Sequence, residues 1–186
     1  RRLFTGEKCI GYPVVPGHEA SGVVVQAGEA VRRPLAPGTR VALDLLNRCG
    51  ECEFCRTGRG NLCKYMYRGK LNLLGGFGQY VSVPSEQVFE IGESISFEEA
   101  ALAEPTACVI HSLHRANARF AETVLVYGVG PMGMLHVIVG KAMGLEVGVV
   151  DPDPARREIA LSLGARFAVA SGPDEDLKQA VTRGFG

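Results

Sequence analysis

Thr123-Val124-Leu125-Val126-Tyr127-Gly128-Val129-Gly130-Pro131-Met132-Gly133 is the stretch on which the fold turns. Its first five residues, β-branched or large and apolar and closed by glycine, read as a buried strand. From Pro131 to about residue 143 the pattern is helical, with Pro131 in the first turn, where a missing N–H costs nothing. The alternation then repeats. Val147-Gly148-Val149-Val150 is a second strand, 154–163 a second helix, and Phe167-Ala168-Val169 starts a third strand. Such a βαβαβ order implies a parallel sheet with right-handed crossovers. Two or three parallel strands leave an unpaired edge and a poorly covered face, so more chain is expected after Gly186.

The turn between the first strand and its helix is G-x-G-x-x-G. Alone this is a weak signal; between a strand and a helix it becomes a specific one. Gly128 permits the tight turn, Gly130 lets a pyrophosphate approach the backbone, and Gly133 lets the helix pack closely on the strand. The helix N–H groups and the positive end of its dipole then face the phosphates. Gly128, Val129, Gly130, Pro131, Met132 and Gly133 are therefore the candidate cofactor cradle. Asp151 ends the second strand, twenty-odd residues later. A carboxylate there accepts hydrogen bonds from the ribose hydroxyls and repels a 2′-phosphate, which selects NAD over NADP. Arg156 and Arg157 lie close by and could accommodate that phosphate. The competing reading makes Asp151 only a cap for helix 154–163.

Upstream, from residue 12 to about 95, the punctuation is all-β. Short runs at 22–26, 39–43, 79–83 and 87–91 are rich in β-branched residues, and Pro-Gly pairs at 16–17 and 37–38 mark turns. A helix is expected from Phe97 to about Ala116, with Ser96 and Glu99 forming a capping box and Pro105 bending or restarting it. Within the β region, Cys49-x2-Cys52-x2-Cys55-x7-Cys63 puts four thiols on one short loop that Gly50, Gly58 and Gly60 allow to wrap. Four thiolates satisfy tetrahedral zinc and leave no open position, so the site is expected to be structural. Two disulfides or an iron–sulfur cluster are the alternatives; ferredoxin-type motifs place Pro after the last Cys, whereas Lys64 follows Cys63. Cys9 and Cys108 stand apart, Cys9 as an ordinary thiol and Cys108 as a core residue.

The chain has 186 residues, 46% of them hydrophobic, with 20 basic and 20 acidic side chains. It can bury a core and carries no field that would hold nucleic acid. No apolar run reaches the roughly 18 residues that span a bilayer, and no signal peptide opens the chain. Clustered cysteines in a chain of this size favour metal binding in a reducing compartment, hence the cytoplasm. A start at Arg1 rather than Met leads us to expect a section of a longer protein.

Pro16-Gly17-His18-Glu19-Ala20-Ser21-Gly22, the four-cysteine loop, Gly75-Gly76-Phe77-Gly78-Gln79-Tyr80-Val81-x-Val83-Pro84, Glu104-Pro105 and the glycine loop follow one another over nearly the whole chain. In that order they closely resemble the zinc-containing medium-chain dehydrogenase/reductase family, especially its sorbitol and threonine dehydrogenase branches. The resemblance implies a two-domain protein. Residues 1–104 would be a GroES-like β barrel domain with the zinc lobe at about 47–66. Residues 105–186 would be part of a Rossmann α/β domain, with the active site between the two. It also implies a catalytic zinc held by His18 and by Glu19 or Glu104, NAD as hydride acceptor, and a small alcohol or polyol as substrate. Homodimers or homotetramers are the family habit. The family's first zinc ligand, a Cys about twenty residues before Gly-His-Glu, has no counterpart here, so the 186 residues alone are not expected to turn over. His111, His114 and His136 are read as structural or solvent-facing. One rival is a zinc-free reductase on the same scaffold, against which His18 and the cysteine loop argue. The other is a non-enzymatic zinc module binding protein or nucleic acid through the loop, with Arg48, Arg56, Arg59, Lys64, Tyr65, Tyr67 and Arg68 as its contact surface.

Overall fold

A computed structural model describes residues 15–32, 34–66, 75–171 and 174–186. The chain divides into two compact units, Arg1–Glu104 and Pro105–Gly186.

In the first unit, β1 (Glu19–Val23), β2 (Arg40–Asp44) and β3 (Val88–Glu90) form an antiparallel sheet in the order β1-β2-β3. Val41, Ala42 and Leu45 are buried in its core. A short helix, α1 (Glu53–Arg56), lies inside the cysteine loop. Among the described residues this sheet is open, which corrects the closed barrel expected from the resemblance. One reason lies in the expected strand at 79–83, which forms no ladder. Glycines pull the preceding segment into turns: Gly75 has φ +125°, and Gly78 N–H donates back to the Gly75 carbonyl at 2.8 Å. The run at 22–26 ends as a strand at Val23, because the Gly38 N–H and Thr39 carbonyl engage the backbone of Val24 as the chain turns.

The helical stretch after Ser96 has two pieces, α2 (Phe97–Ala101) and α3 (Ala103–Arg115). Ser96 Oγ accepts from Glu99 N–H and Glu99 Oε2 accepts from Ser96 N–H, so the expected capping box is formed. The Ser96 N–H, and after it the Ser96 hydroxyl, hold the Glu99 carboxyl below the usual carboxylate range. The break falls at Leu102, and Pro105 sits in the first turn of α3, where helix N–H groups lack intrahelical partners anyway. The buried face of α3 is Pro105, Val109 and Leu113, at i, i+4 and i+8. Cys108 lies off that stripe and is exposed, which corrects the expectation of a core cysteine.

The second unit carries a parallel sheet in the order β4-β5-β6, formed by Thr123–Tyr127, Glu146–Val150 and Phe167–Val169. Helices α4 (Pro131–Ala142), α5 (Pro154–Ser162) and α6 (Asp174–Phe185) alternate with these strands. Helix α6 is an addition to the elements expected from the sequence. The core joins Val109, Leu113, Leu135, Val137, Val147, Val149 and Ala160. No helix among the described residues is long and apolar enough to cross a membrane.

Replacing Ser96 by Ala removes the cap of α2 and should lower stability by about 1 kcal/mol in urea unfolding. No loss of stability would show that the capping box does not form in solution.

Candidate metal and nucleotide sites

His18 ends the loop that leads into β1, Glu19 is the first residue of β1, and Glu104 stands in the first turn of α3. One ligand atom from each of the three lies within 4.8 Å of the other two. Donors bound tetrahedrally at zinc are separated by about 3.4 Å, given bonds of 2.0–2.2 Å, so closing this set needs only a small contraction. Three protein donors leave the open position that substrate chemistry requires. The structure thus brings together all three residues that the sequence singled out. It also gathers Glu19 and Glu104 alike, rather than one of them.

The approach to His18 is built by glycine. Gly17 has φ +92°, and a Cβ there would stand 2.8 Å from Phe77 Cδ1. Gly76 N–H donates to the Gly17 carbonyl and Phe77 N–H to the Pro16 carbonyl. These two bonds lock the Gly75–Gly78 turn beside the metal donors and set the Phe77 ring there, 81% exposed. The sequence offered Phe77 only as part of a motif, since contact across sixty positions has no local signal.

In the cysteine loop, Cys52 Sγ and Cys55 Sγ are 3.6 Å apart, and Cys49 Sγ and Cys55 Sγ 3.8 Å apart. These distances match the edge of a tetrahedron with Zn–S bonds of about 2.3 Å, roughly 3.8 Å, and are far too long for disulfides. Cys49 N–H donates to Cys63 Sγ, and Cys52 N–H to Cys49 Sγ, so the backbone already favours sulfur with negative charge. The N–H groups of Cys55 and Lys64 lower the Cys52 thiol to about 6, whereas burial and the neighbouring sulfurs push Cys55 up to about 12. Sulfurs this close cannot all ionise unaided; a divalent cation in their midst relieves the repulsion.

Three of the cations around the loop, Arg48, Arg59 and Lys64, are paired. Arg48 Nη1 lies 2.6 Å from Asp44, while Arg59 and Lys64 both approach Glu53 at 3.8 Å and lie over the Phe54 ring. This clustering around acids removes much of the basic surface on which a nucleic-acid reading depends. Tyr67 and Arg68, also named for that surface, lie outside the described residues, as does Cys9.

In the second unit, Gly128 turns the chain with φ +85°. A Cβ on Gly133 would stand 2.1 Å from the Gly128 carbonyl oxygen, so only glycine lets α4 start this close. A Cβ on Gly130 would meet nothing within 4 Å, which leaves space beside the backbone where phosphate would sit. Gly130 caps α4 without a side-chain acceptor, and Pro131 occupies its first position. Val129 is fully buried; its contribution is its N–H, not its side chain. That N–H donates to Asp151 Oδ2 at 2.7 Å, while Asp153 N–H donates to Asp151 Oδ1 at 2.8 Å. Asp151 is 2% exposed. The Val129 N–H, then the Asp153 N–H, hold its carboxyl below the usual range, with Arg156 and Arg157 adding to the effect. The cap of α5 is Asp153, which accepts from Ala155 N–H. Arg157 Nη1 donates to the carbonyls of Asp151 and Pro152, and Arg156 Nε lies 3.6 Å from Asp153. Asp153 stands two residues after Asp151, and Pro154 at the first helical position is the local signal that marks it, rather than Asp151, as the cap. His136 joins α4 to α3 through Ser112, with Nε2 2.7 Å from the serine Oγ and Nδ1 2.8 Å from the Met132 carbonyl.

Two outcomes follow for the nucleotide unit. Gly133→Val should abolish dinucleotide binding in a calorimetric titration; retained affinity would mean that the loop is not the cradle. Because the folded-state pKa of Asp151 is lowered, its contribution to stability is present above the ordinary carboxylate pKa of about 4 and is lost as pH falls through the folded value. Asp151→Asn should therefore flatten the acid limb of the stability–pH curve, and an unchanged limb would contradict the loop bonds.

Residues 2–93 match the family model of the alcohol dehydrogenase GroES-like domain. The sorbitol dehydrogenase of Bacillus subtilis is 34% identical over 179 residues, 95% of this chain and 50% of that protein. A solved short chain alcohol dehydrogenase of Escherichia coli, complexed with NADH, superposes with a TM-score of 0.86 at 31% identity, over 98% of this chain and 54% of the other. A zinc-binding dehydrogenase of Sinorhizobium meliloti bound to NADP gives 0.84 at 36% identity, over 91% and 49%. The chain spans about half the length of the relatives it matches. Motifs, two-unit fold and likeness agree: the chain belongs to the zinc-containing medium-chain dehydrogenase/reductase family.

Proposed function

We propose that the protein is a zinc-dependent oxidoreductase that transfers a hydride from the carbinol carbon of an alcohol or polyol to NAD. The observation that carries this reading is the convergence of His18, Glu19 and Glu104 from separate elements on one point. Bound there, zinc supplies a Lewis acid that favours ionisation of a substrate hydroxyl. His18 would hold the metal through a ring nitrogen, and one of Glu19 and Glu104 through a carboxylate oxygen. The other carboxylate would accept a hydrogen bond from the hydroxyl or water at the open position. The sulfurs of Cys49, Cys52, Cys55 and Cys63 would take a second, structural zinc.

Gly128, Val129, Gly130, Pro131, Met132 and Gly133 would cradle the pyrophosphate of NAD against the start of α4. Asp151 would stand at the ribose as a fixed negative charge that disfavours a 2′-phosphate. Supporting this, Arg157 is already turned onto backbone carbonyls and Arg156 onto Asp153, so both cations have other partners. The family habit of homodimers or homotetramers and a cytoplasmic setting complete the reading.

Metal analysis should find two zinc ions per chain, one removed by mild chelation and one retained until the cysteine loop unfolds. NAD should bind at least tenfold more tightly than NADP in parallel titrations. Iron in place of zinc, or tighter NADP, would refute the corresponding part. In the full-length protein, polyols and simple alcohols offered with NAD would identify the substrate, and a complete lack of reduced cofactor would sink the activity.

A further inference from the structure

Glu19, Ser21 and Val23 alternate onto one face of β1. Across the antiparallel ladder they oppose Asp44, Ala42 and Arg40, and directly opposed residues share a face. Glu19, Ser21 and Arg40 therefore look out from the same side of the sheet, and α2 packs against both strands. Ser21 Oγ donates to the Phe97 carbonyl at 2.6 Å, across 76 positions of sequence. Arg40 Nη2 donates to the Ile95 carbonyl, and its guanidinium carbon lies 4.2 Å from the centre of the Phe97 ring. Arg40 Nε is buried without a hydrogen-bond partner. A buried donor left unpaired is unfavourable, so the guanidinium is held in place by its other contacts.

We propose that Ser21 and Arg40 are positioning residues for the metal donor set, an inference that rests on the reading of His18, Glu19 and Glu104 as zinc ligands. β1 carries Glu19 at its start and Ser21 two residues on, about 7 Å away. The other end of the tether, Phe97, opens α2 and lies seven residues before Glu104, which follows the break at Leu102 in the first turn of α3. Ser21 and Arg40 thus pin the helical segment to the sheet between the two sources of ligands. Each ligand must settle within a fraction of an ångström of its place around the metal, and a slip of α2 on the sheet also displaces the start of α3, which follows directly after Leu102 and carries Glu104. Neither Ser21 nor Arg40 touches the metal; they act through the backbone at 95–97.

Cobalt(II) as a zinc surrogate tests this, because thiolate ligands give intense charge-transfer absorption that nitrogen and oxygen donors lack. The wild-type chain should take up two equivalents, one with the thiolate bands and one with ligand-field bands alone. Ser21→Ala should keep the first and weaken the second about tenfold or more, as loss of an outer partner does. Ser21→Thr, which retains the hydroxyl, should recover most of that affinity. Arg40→Lys, which keeps the charge but loses the flat guanidinium, should also weaken the second equivalent and decides the matter if Ser21→Ala does not fold. Asp153→Ala strips the cap from α5, a helix away from the tether; it should lower thermal stability and leave cobalt affinity unchanged. Wild-type affinity in both Ser21→Ala and Arg40→Lys, or equal weakening by Asp153→Ala, would overturn the positioning role while the metal reading stands. A wild-type chain that takes up only the thiolate-bound equivalent overturns both.

Discussion

The carboxylate of Asp151 joins the two loops that leave β4 and β5. Parallel strands deliver their C-terminal ends to the same side of a sheet, so two loops crowd there with backbone N–H groups that no ladder satisfies. Asp151 accepts one such N–H from each: Val129 from the glycine loop and Asp153 from the loop after β5. The negative charge is favoured because both bonds are charge-assisted. Around it, Gly128 and Gly133 make the turn tight enough for α4 to begin against the strand. The carboxylate and the two glycines thus fix the shape of this end of the sheet.

The β unit meets the opposite problem, that of gathering charged or ionisable groups in one place. Four sulfurs within 4.8 Å of one another repel once ionised, and the loop answers with backbone N–H groups aimed at Cys49, Cys52 and Cys63. The oxygen and nitrogen donors are gathered over a longer range, from β1 and from the start of α3. Here no local loop does the work, and register across the sheet takes its place. A one-residue slip of β1 against β2 would turn Glu19 and Ser21 to the opposite face and separate the donors.

Local chemistry made much of this legible. The βαβαβ alternation appears at the expected residues, because fully apolar strands and the Pro-led helices at Pro131 and Pro154 are local signals. The Ser96–Glu99 box and the cysteine spacing were readable for the same reason. The errors are of another kind. The run at 79–83 has strand composition but no partner among the described residues, since composition does not specify pairing. Cys108 was assigned to the core by its apolar neighbours in sequence, whereas helical geometry turns it 100° away from Val109. The competing reading of Asp151 as the cap of α5 fails, because Pro154 opens that helix and makes the residue before it, Asp153, the N-cap.

Residue type and spacing set which atoms are available: four thiols on one loop, an imidazole beside a carboxylate, a glycine turn that a helix follows, and an acid at the next strand end. Each is a contiguous pattern, and its chemistry follows from residue type and spacing. Which of these atoms meet is a matter of long-range folding. Glu104 reaches His18 and Glu19 across more than eighty positions, Ser21 reaches Phe97, and Phe77 lies against Gly17. Contacts of that span are fixed by strand register and by the packing of α2 on the sheet, which depend on the whole fold rather than on any local run of residues.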